Sequence, residues 1–489
     1  MIAKVRTDLD SIFLPRNAAV IGASYKDFFT WAMMGGKLKE HFFPVNPNYQ
    51  EVMGRKCYSS ILDIEEPVDY AVLVVPSRLA IKSVQECIQK GVKGVHLFTS
   101  GFSETGTAEG IRLEKDLAAL VKGRIRMIGP NCMGIYCPKS GLSFNPMSAY
   151  REGNIGIITQ SGTFAQFFIQ SEKPRNIRIS KMISYGNAVD IDCPELLDYY
   201  ADDPDTHIIA LYIEGIKDGR LLKEALERAA AKKPVIALKG GVTEQGARVA
   251  SSHTGSLAGV GRIWETMFRQ AGALLVNDID ELINTALAFG SLKPPQGKGI
   301  SIITYSGGFS VVQSDLAIKA GLDVPQLSEG AREKLRKIVP SAGTMIGNPL
   351  DAWQVFHRVN KGQGTLDEII KIVADESQIH SIILQIDNLR FLAATWGKKF
   401  AESFNSFSNI VAEGCLYTRD TTGKVIMLSI YMDPFQSNET ERKVYLDFKA
   451  RCEEHNLAVY PSLNSAINTV SNMYRYTQLK HEGLLRSTG

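Results

Sequence analysis

Short strands rich in valine and isoleucine alternate with segments of helical length along this chain, and no other feature constrains its fold as strongly. A strand, a glycine-containing turn and a helix follow one another at residues 18–36, again at 155–170 and again at 300–318. Strands that alternate with helices are typical of parallel sheets covered by helices on both faces. The sequence therefore predicts an α/β protein made of three doubly wound domains.

Two stretches interrupt the alternation and mark the predicted domain limits. The polar stretch MSAYREGN begins at residue 147, and the Pro/Gly-rich stretch KPPQGKG begins at residue 293. A chain of 489 residues is expected to hold roughly three domains of about 150 residues each. The predicted domains are residues 1–146, 147–293 and 298–489.

Charge and hydropathy argue against two classes of partner. Lys and Arg total 55 against 52 Asp and Glu, and the net charge of +3 gives no reason to expect a nucleic acid or a membrane surface. Apolar runs such as YAVLVVP (70–76) are far shorter than the roughly 20 residues of a membrane span, and the N-terminal MIAKVRTDLD lacks the apolar core of a signal peptide. We therefore expect a cytoplasmic protein that binds neither nucleic acid nor a membrane.

The cysteines and histidines form no pattern typical of a metal site. The seven cysteines have no paired short spacing, so we expect reduced and mostly buried thiols without a zinc site or a disulfide framework. The eight histidines show no spacing that brings two of them together, so no transition metal is expected. Only Cys132, in IGPNCMG (128–134), lies in a loop-like string where we expect a ligand to reach it.

Each strand, turn and helix unit offers a place for an anion, because the first helical turn has unpaired amides and glycine lets a phosphate approach the backbone. The first unit, VIGASYKDFFTWAMMGGK (20–37), resembles a dinucleotide-binding turn but lacks the Gly-x-Gly-x-x-Gly pattern of such turns. PVNPNY (44–49) stands where an NAD site needs an acidic residue, so a nicotinamide dinucleotide is disfavoured. A ribose with a 3′-phosphate, as in coenzyme A, fits better, with Lys26 as its partner. A Rossmann-like fold with a degenerate turn and no ligand is the alternative.

The second and third units, TQSGTFAQ (159–166) and TYSGGFSVVQSD (304–315), both place Ser-Gly at the start of a helix. Each is expected to direct amides and hydroxyls at a phosphate, and a phosphorylated imidazole suits the gap between them. His253 lies in the small-residue run SSHTGSLAG (251–259), where a solvated imidazole has room to move and acts as a nucleophile near neutral pH. His253 in this run predicts a phosphoryl or acyl carrier, and the pair of Ser-Gly helix starts favours a phosphorylated imidazole. The alternative is an exposed loop histidine with no role.

A carboxylate completes this predicted site. Glu214 in YIEG (212–215) follows an apolar strand in the same predicted domain as His253. By accepting a hydrogen bond from one ring nitrogen, it would leave the other nitrogen free to attack phosphorus and would stabilise the charged ring. An N-cap or a surface ion pair is the alternative role for this glutamate.

Ten strings of the chain together resemble the nucleoside-diphosphate-forming acyl-CoA synthetases, relatives of succinyl-CoA synthetase. They occur in family order over nearly the whole chain, and the most specific is the one that carries the transiently phosphorylated histidine in that family. The strings are VIGAS (20–24), PVNPN (44–48), VVPS (74–77), IGPNCMG (128–134), TQSGT (159–163), SYGNAVDID (184–192), DDPDTHIIALYIEG (202–215), KPVIALKGG (233–241), SSHTGSLAG (251–259) and NPLDAW (348–353).

The resemblance implies a fold, an activity and partners. The fold would be an N-terminal Rossmann-like CoA-binding domain followed by two flavodoxin-like ligase domains. The chain would be the alpha-type subunit, because no segment resembles the ATP-grasp domains of the family, and an ATP-grasp beta-type partner would bind ADP or GDP with Mg2+. We expect an alpha2beta2 heterotetramer that acts on a small carboxylic acid or its CoA thioester, with phosphate as the other substrate.

The resemblance also assigns roles to residues of this chain. His253 would carry the phosphoryl group and Glu214 would orient it. The CoA contacts would come from Gly22, Ser24, Lys26, Asn46, Pro76, Ser100, Gly101 and Asn131. The phosphate contacts would come from Ser161, Gly162, Thr163, Gly307 and Gly308.

The chain departs from the family in its first loop, residues 25–31, which is longer and more aromatic than the usual Gly/Pro/Lys loop and carries Tyr25, Phe28, Phe29 and Trp31. This departure indicates either an unusual acyl group or adenine packing, or simply local helix packing. Two rival functions remain open: a non-catalytic acyl-CoA sensor or scaffold, and an NAD-dependent oxidoreductase. A sensor or scaffold would not need His253 and Glu214. An NAD-dependent oxidoreductase would need a dinucleotide-binding fingerprint, which this sequence lacks.

Overall fold

Three sheets of five or six strands, each covered by helices, and one two-stranded sheet occur in the described residues, as the predicted α/β class requires. The structure, a computed structural model, describes residues 9–248, 261–339, 346–352, 366–386, 389–431 and 437–483. The chain divides into two compact units, one that extends to Ala286 and also takes in the residues from Glu482 onwards, and one that covers Leu287–His481. In the part of the chain that the structure describes, no helix combines the length and the hydropathy that crossing a bilayer would need.

The first sheet contains five parallel strands in the order β2-β1-β5-β6-β7. A two-stranded antiparallel hairpin, β3 with β4, lies beside it. The strands are β1 (Ala18–Ile21), β2 (Phe42–Val45), β3 (Glu51–Val52), β4 (Arg55–Lys56), β5 (Tyr70–Leu73), β6 (Gly94–Leu97) and β7 (Arg126–Ile128). The α-helices of this part are Phe28–Gly35, Ser77–Lys90 and Ala108–Val121.

The second sheet contains six strands in the order β13-β12-β11-β9-β10-β8, all parallel except β8, which runs antiparallel to β10. The strands are β8 (Gly134–Tyr136), β9 (Glu152–Thr159), β10 (Ile179–Ser184), β11 (Ile208–Ile213), β12 (Val235–Lys239) and β13 (Leu274–Val276). The helices are Gly162–Arg175, Cys193–Asp202, Gly219–Lys232, Gly261–Gln270 and Ile279–Ser291.

The third sheet contains five parallel strands in the order β15-β14-β16-β17-β18. The strands are β14 (Ile300–Thr304), β15 (Leu350–Asp351), β16 (Ser381–Ile386), β17 (Val425–Ile430) and β18 (Ala458–Tyr460). The α-helices are Gly307–Lys319, Glu329–Ile338, Leu366–Ala374, Leu389–Trp396, Phe400–Thr422, Glu439–Glu454 and Leu463–His481.

The limits 1–146, 147–293 and 298–489 stay predictions. Strand β8 lies before residue 146 but pairs in the second sheet. The division between the two compact units falls inside helix Ile279–Ser291, ahead of the stretch KPPQGKG.

The cores follow from strands that are apolar on both faces. In the third sheet, Ile303 and Leu384 belong to one buried cluster, whereas Ile302 and Ile383 belong to another. Successive side chains of a strand point to opposite faces, so these adjacent residues fill cores on the two sides of the sheet. The near-continuous Val/Ile runs are therefore explained by helices on both faces.

All three sheets share one winding. Among the parallel strands of each sheet, the first lies between the second and the third, so the order reverses beside it, at β1, at β9 and at β14. In open parallel sheets, ligands bind outside the carboxyl ends of the strands at this reversal. Each of the three strand, turn and helix units identified in the sequence begins with one of these strands.

Candidate active site

The reversal point of the second sheet brings together two of the predicted elements. The Ser161 turn follows β9, and Glu214 follows β11, the neighbouring parallel strand. Gln160 joins them, because its side-chain Oε1 accepts hydrogen bonds from the amides of Glu214 at 2.8 Å and Gly215 at 3.1 Å. The start of helix Gly162–Arg175 and the Glu214 loop are therefore held at one edge of the sheet.

Some backbone amides at the start of helix Gly162–Arg175 have no acceptor within the helix. Ser161 is the N-cap, and its hydroxyl accepts from the Phe164 amide at 3.4 Å. Gly162 and Thr163 lie in the first turn, where no helical carbonyl is available to their amides. The amides of Gly162 and Thr163 thus lie at the positive end of the helix dipole, where an anion is stabilised, whereas the Ser161 amide donates to Thr159 Oγ1 at 3.2 Å.

Glu214 is a buried residue, 8% exposed. Its Oε1 accepts from the Tyr212 hydroxyl at 3.0 Å, and the Tyr212 ring stacks on Phe164 with centroids 4.0 Å apart. Burial, together with the nearby Glu214, raises the pKa of Tyr212, so this hydroxyl stays protonated and donates at neutral pH. A solvated surface ion pair does not describe this glutamate.

Lys239, the last residue of β12, completes the surroundings of Glu214, and the sequence analysis missed it. Its Nζ donates to the Glu214 carbonyl at 2.7 Å and to the Gly240 carbonyl. It lies 4.7 Å from the centroid of the Trp264 ring. Burial lowers the pKa of this ammonium to about 8. The signal was present, since a charged residue ends the apolar string PVIALK just as Glu214 follows IIALYI.

Loops of the first sheet pack against this edge of the second sheet. A Cβ on Gly162 would lie 3.0 Å from Met133 Cγ. Asn131 Nδ2 donates to Asn187 Oδ1 at 3.4 Å, and Asn187 follows β10. The structure therefore places Asn131, a predicted CoA contact, beside the second sheet.

Two carboxylates reinforce this contact between the first sheet's loops and the loop after β10. Asn187 Nδ2 donates to Glu104 at 2.6 Å and to Glu114 at 2.8 Å. Glu104 Oε1 in turn accepts from the amide of Gly101 at 2.6 Å. The turn that holds Ser100 and Gly101 is thus tied to the loop after β10.

Gly22 and Asn46 shape the carboxyl edge of the first sheet. Gly22 has φ +93°, and a Cβ there would lie 2.1 Å from the Val74 carbonyl oxygen. This close approach of the β1 and β5 ends requires glycine. Asn46 Nδ2 donates to the Ala23 carbonyl at 2.9 Å, and its Oδ1 accepts from the Asn48 amide at 3.0 Å. Both side-chain groups of Asn46 thus maintain the turn.

The helix start after β1 differs from the expectation for an open anion site. The Asp27 carboxylate caps helix Phe28–Gly35, accepting from the Thr30 amide at 2.9 Å and from the Ser24 amide at 2.8 Å. Asp27 therefore takes the place at the helix end that the sequence analysis offered to a phosphate. Lys26 is exposed beside this turn.

A second helix start on the same edge is open to an anion. Pro76 is the N-cap of helix Ser77–Lys90 and makes no side-chain capping bond. Arg78, which the sequence analysis missed, is exposed in the first turn. A Cβ on Gly101 would lie 3.2 Å from Ser77 Oγ, so the Ser100 turn borders this helix start. These residues fit a phosphorylated nucleotide by their chemistry.

The aromatic segment 25–31 is a loop only in part, because a helix begins at Phe28. Phe28 and Phe29 pack edge-on against Phe98, with centroids 5.4 Å and 5.1 Å away. For these two rings the local-packing alternative holds. Tyr25 and Trp31 are about half exposed, at 50% and 52%.

In the other compact unit, Gly307 and Gly308 open helix Gly307–Lys319 after β14. Ser306 is the N-cap and makes no side-chain capping bond. A Cβ on Gly307 would lie 3.3 Å from Asp351 Oδ2. A buried carboxylate from the end of β15 therefore lies beside this helix start.

The remaining predicted groups have the following places. His253 lies outside the described residues. Cys132 is 4% exposed, which corrects the expectation that a ligand reaches its thiol: the loop turns this side chain inward. All seven cysteines are buried and none forms a disulfide bond, and burial raises the pKa of each thiol. No cluster of three metal-ligating side chains occurs in the described ranges.

Two family models match the chain. The model of the CoA binding domain matches residues 16–138. The model of the succinyl-CoA ligase like flavodoxin domain matches residues 152–289.

Curated relatives and a solved structure agree with these models. The chain is 42% identical over 348 residues to the alpha subunit of ADP-forming acetate–CoA ligase II from Pyrococcus furiosus, covering 70% of this chain and 76% of that subunit. It is 32% identical over 483 residues to ADP-forming acetate–CoA ligase II from Archaeoglobus fulgidus, covering 96% of this chain and 67% of that protein.

The solved structure is the dinucleotide-forming acetyl-coenzyme A synthetase 1 of Ca. Korarchaeum cryptofilum, in complex with phosphate and ADP. It matches with a TM-score of 0.78 and 26% identity, over 98% of this chain and 99% of that chain. The resemblance drawn from the sequence motifs is confirmed. The chain belongs to the ADP-forming acyl-CoA synthetases, a family of ligases, and corresponds to their alpha-type subunit.

Proposed function

We propose that this subunit converts an acyl-CoA, phosphate and a nucleoside diphosphate reversibly into a carboxylic acid, free CoA and a nucleoside triphosphate, with His253 as the phosphoryl carrier. A phosphate oxygen attacks the thioester carbon, the C–S bond breaks, and the products are an acyl phosphate and the CoA thiol. A nitrogen of His253 then attacks phosphorus, and the acid leaves with the bridging oxygen. The nucleoside diphosphate finally accepts the phosphoryl group and regenerates the imidazole.

Each group of residues has a role in this scheme. Glu214 orients His253 and stabilises its charged form. The phosphate is held by the backbone amides and side-chain hydroxyls at the start of the helix after β9, at Ser161, Gly162 and Thr163. Coenzyme A, a substrate here, is bound by Gly22, Ser24, Lys26, Asn46, Pro76, Ser100, Gly101 and Asn131.

The geometry around Glu214 supports this proposal most directly. A carboxylate at the end of β11 and an open helix start after β9 lie at the reversal point of one sheet, joined by Gln160. Phosphoryl transfer needs both an anion site and a group that stabilises positive charge on the carrier. A protein that only binds an acyl-CoA needs anion sites for the CoA phosphates but no group that stabilises positive charge on a phosphoryl carrier.

The nucleotide step requires a partner in this proposal. An ATP-grasp beta-type subunit would bind ADP or GDP with Mg2+, and the complex would be an alpha2beta2 heterotetramer. The relative named as an alpha subunit supports a separate partner chain. The names of the relatives also favour acetate, or a similarly small acid, as the acyl group.

The test is to incubate the chain with acetyl-CoA and radiolabelled phosphate and to measure label on the protein. We expect acid-labile label on the wild type, none on His253→Ala, and labelling slowed at least about 100-fold in Glu214→Gln, as for loss of a catalytic electrostatic group. Addition of the beta-type subunit with ADP is expected to discharge the label into ATP.

His207→Ala serves as the control, because His207 is exposed ahead of β11. It should label like the wild type. Equal labelling of His253→Ala and the wild type would refute the carrier role, and a wild type that binds acetyl-CoA but takes no label would indicate a sensor.

A further inference from the structure

Lys239 lies against the main chain of the Glu214 loop. It pairs with Ile213 in the register between β12 and β11, so its side chain leaves the sheet next to Glu214. Its ammonium contacts two carbonyls, those of Glu214 and Gly240, and the face of the Trp264 ring. The two carbonyls and the ring occupy the directions in which an ammonium donates.

The position of the Lys239 ammonium affects how the Glu214 carboxylate is held. The ammonium anchors the Glu214 backbone by its carbonyl, while Gln160 anchors it by its amide. The Tyr212 hydroxyl holds the carboxylate itself. Glu214 is thus held from three elements: the turn after β9, β11 and the end of β12.

We propose that Lys239 is a positioning residue for phosphoryl transfer, which holds the Glu214 carboxylate at the reaction edge of the second sheet through the carbonyls of residues 214 and 240. The inference rests on the proposed function, since it deepens the role of Glu214. A carboxylate displaced by about 1 Å loses much of its catalytic effect, by as much as about 100-fold. Loss of Lys239 should therefore slow the reaction without weakening substrate binding.

The chain contains a matched control at the opposite end of the same strand. Lys233 precedes β12, and its Nζ donates to two main-chain carbonyls, those of Tyr200 at 2.6 Å and Asp203 at 2.5 Å. Burial lowers the pKa of Lys233 to about 8, as it does for Lys239. Both lysines donate to two main-chain carbonyls, but Lys239 is 4% exposed whereas Lys233 is partly buried, and only Lys239 lies at the carboxyl edge, with Glu214.

The experiment compares Lys239→Met, Lys239→Gln and Lys233→Met with the wild type in the acetyl-CoA and labelled-phosphate assay. Binding of CoA to each variant, measured by calorimetry, reports whether the first unit is folded. We expect both Lys239 variants to label about 10 to 100 times more slowly at saturating acetyl-CoA, with KM unchanged. Lys233→Met should lose melting temperature but label within about twofold of the wild type.

Lys239→Gln decides the matter if Lys239→Met does not fold. Glutamine keeps a polar donor for the carbonyls, but its amide nitrogen ends one bond short of the ammonium and carries no charge. Wild-type labelling by a folded Lys239 variant overturns the positioning role and leaves the proposed function intact. Equal slowing of Lys233→Met and Lys239→Met also overturns it, because the effect would then be structural. An unlabelled wild type overturns the proposed function and, with it, the role of Lys239.

Discussion

The absence of a side chain at Gly240 leaves room for the hydroxyl that holds Glu214. A Cβ on Gly240 would lie 2.6 Å from Tyr212 Oη and 3.4 Å from Glu214 Cγ. The Tyr212 ring cannot turn away freely, since it stacks on Phe164. The contact is therefore relieved mainly by displacing the hydroxyl from the carboxylate.

We expect Gly240→Ala to slow protein labelling about tenfold or more by displacing these groups. Binding of CoA, measured by calorimetry, should stay unchanged. Gly219→Ala is the control, because a Cβ there meets nothing within 4 Å, and it should label like the wild type. A wild-type rate for Gly240→Ala would show that the Tyr212 contact does not matter for the reaction.

Among the site residues, Glu214 could be proposed from the sequence because a carboxylate directly follows an apolar strand. Lys239 is likewise a charged residue at the end of an apolar strand. The sequence does not show, however, that its ammonium donates a hydrogen bond to a carbonyl of another loop. The Asp27 cap illustrates the opposite case. Aspartate is a favoured N-cap, and attention to it would have placed the helix start at Phe28 and removed those amides from the list of phosphate donors.

At the scale of elements, His96 joins three parts of the first compact unit. It lies in β6, its Nε2 is 2.9 Å from the Cys132 carbonyl oxygen, and its ring packs edge-on against Phe29 at 5.4 Å. Gly134 leaves room for it, since a Cβ there would lie 2.4 Å from Nδ1. Burial lowers the pKa of His96 to about 4.

This pKa predicts an acid-sensitive fold. The unfolded chain protonates His96 near its ordinary pKa of about 6.5, so between that pH and about 4 the unfolded state binds more protons than the folded state. Stability is therefore complete above about pH 6.5 and falls as the pH drops towards about 4, by up to about 3 kcal/mol.

We expect His96→Gln to lose less stability than the wild type between about pH 7 and about pH 4.5. Hydrogen exchange of peptides from the first sheet, measured in urea at both pH values, checks this. His207→Gln serves as the control because His207 is exposed. If His96→Gln and the wild type lose equal stability, His96 is not the acid-sensitive group.

The strands and helices were predictable because periodicity and apolar runs are local. The pairing of β8 was not, because a three-residue strand carries no signal of its partner: it is chosen by the β10 edge that it covers. The same limit applies to the hydrogen bond between Asn131 and Asn187, because it joins two loops that are far apart in the sequence.

At the scale of the whole molecule, the two compact units should respond differently to CoA. We expect CoA to slow hydrogen exchange in peptides that span residues 20–26, 74–78, 99–104 and 128–133, and to leave residues 300–320 unchanged. A ligand at about 100 times its Kd stabilises the state it binds by about 2.7 kcal/mol. Mass spectrometry of the exchanged peptides measures this.

An equal protection of residues 300–320 would contradict this expectation. The fold class and the family were accessible from the sequence at this scale, since the strand, turn and helix units recur and the motifs keep their order. The grouping of the first two sheets in one compact unit was not accessible, because it depends on how loops that are far apart in the sequence pack after folding.

The burial of every cysteine has a practical consequence. The CoA released in the proposed reaction carries a thiol, and oxidised CoA exchanges with any protein thiolate it can reach. All seven thiols of this chain are buried, so the protein offers no accessible thiol with which oxidised CoA could form a mixed disulfide. The protein itself should therefore tolerate purification in air without reducing agents.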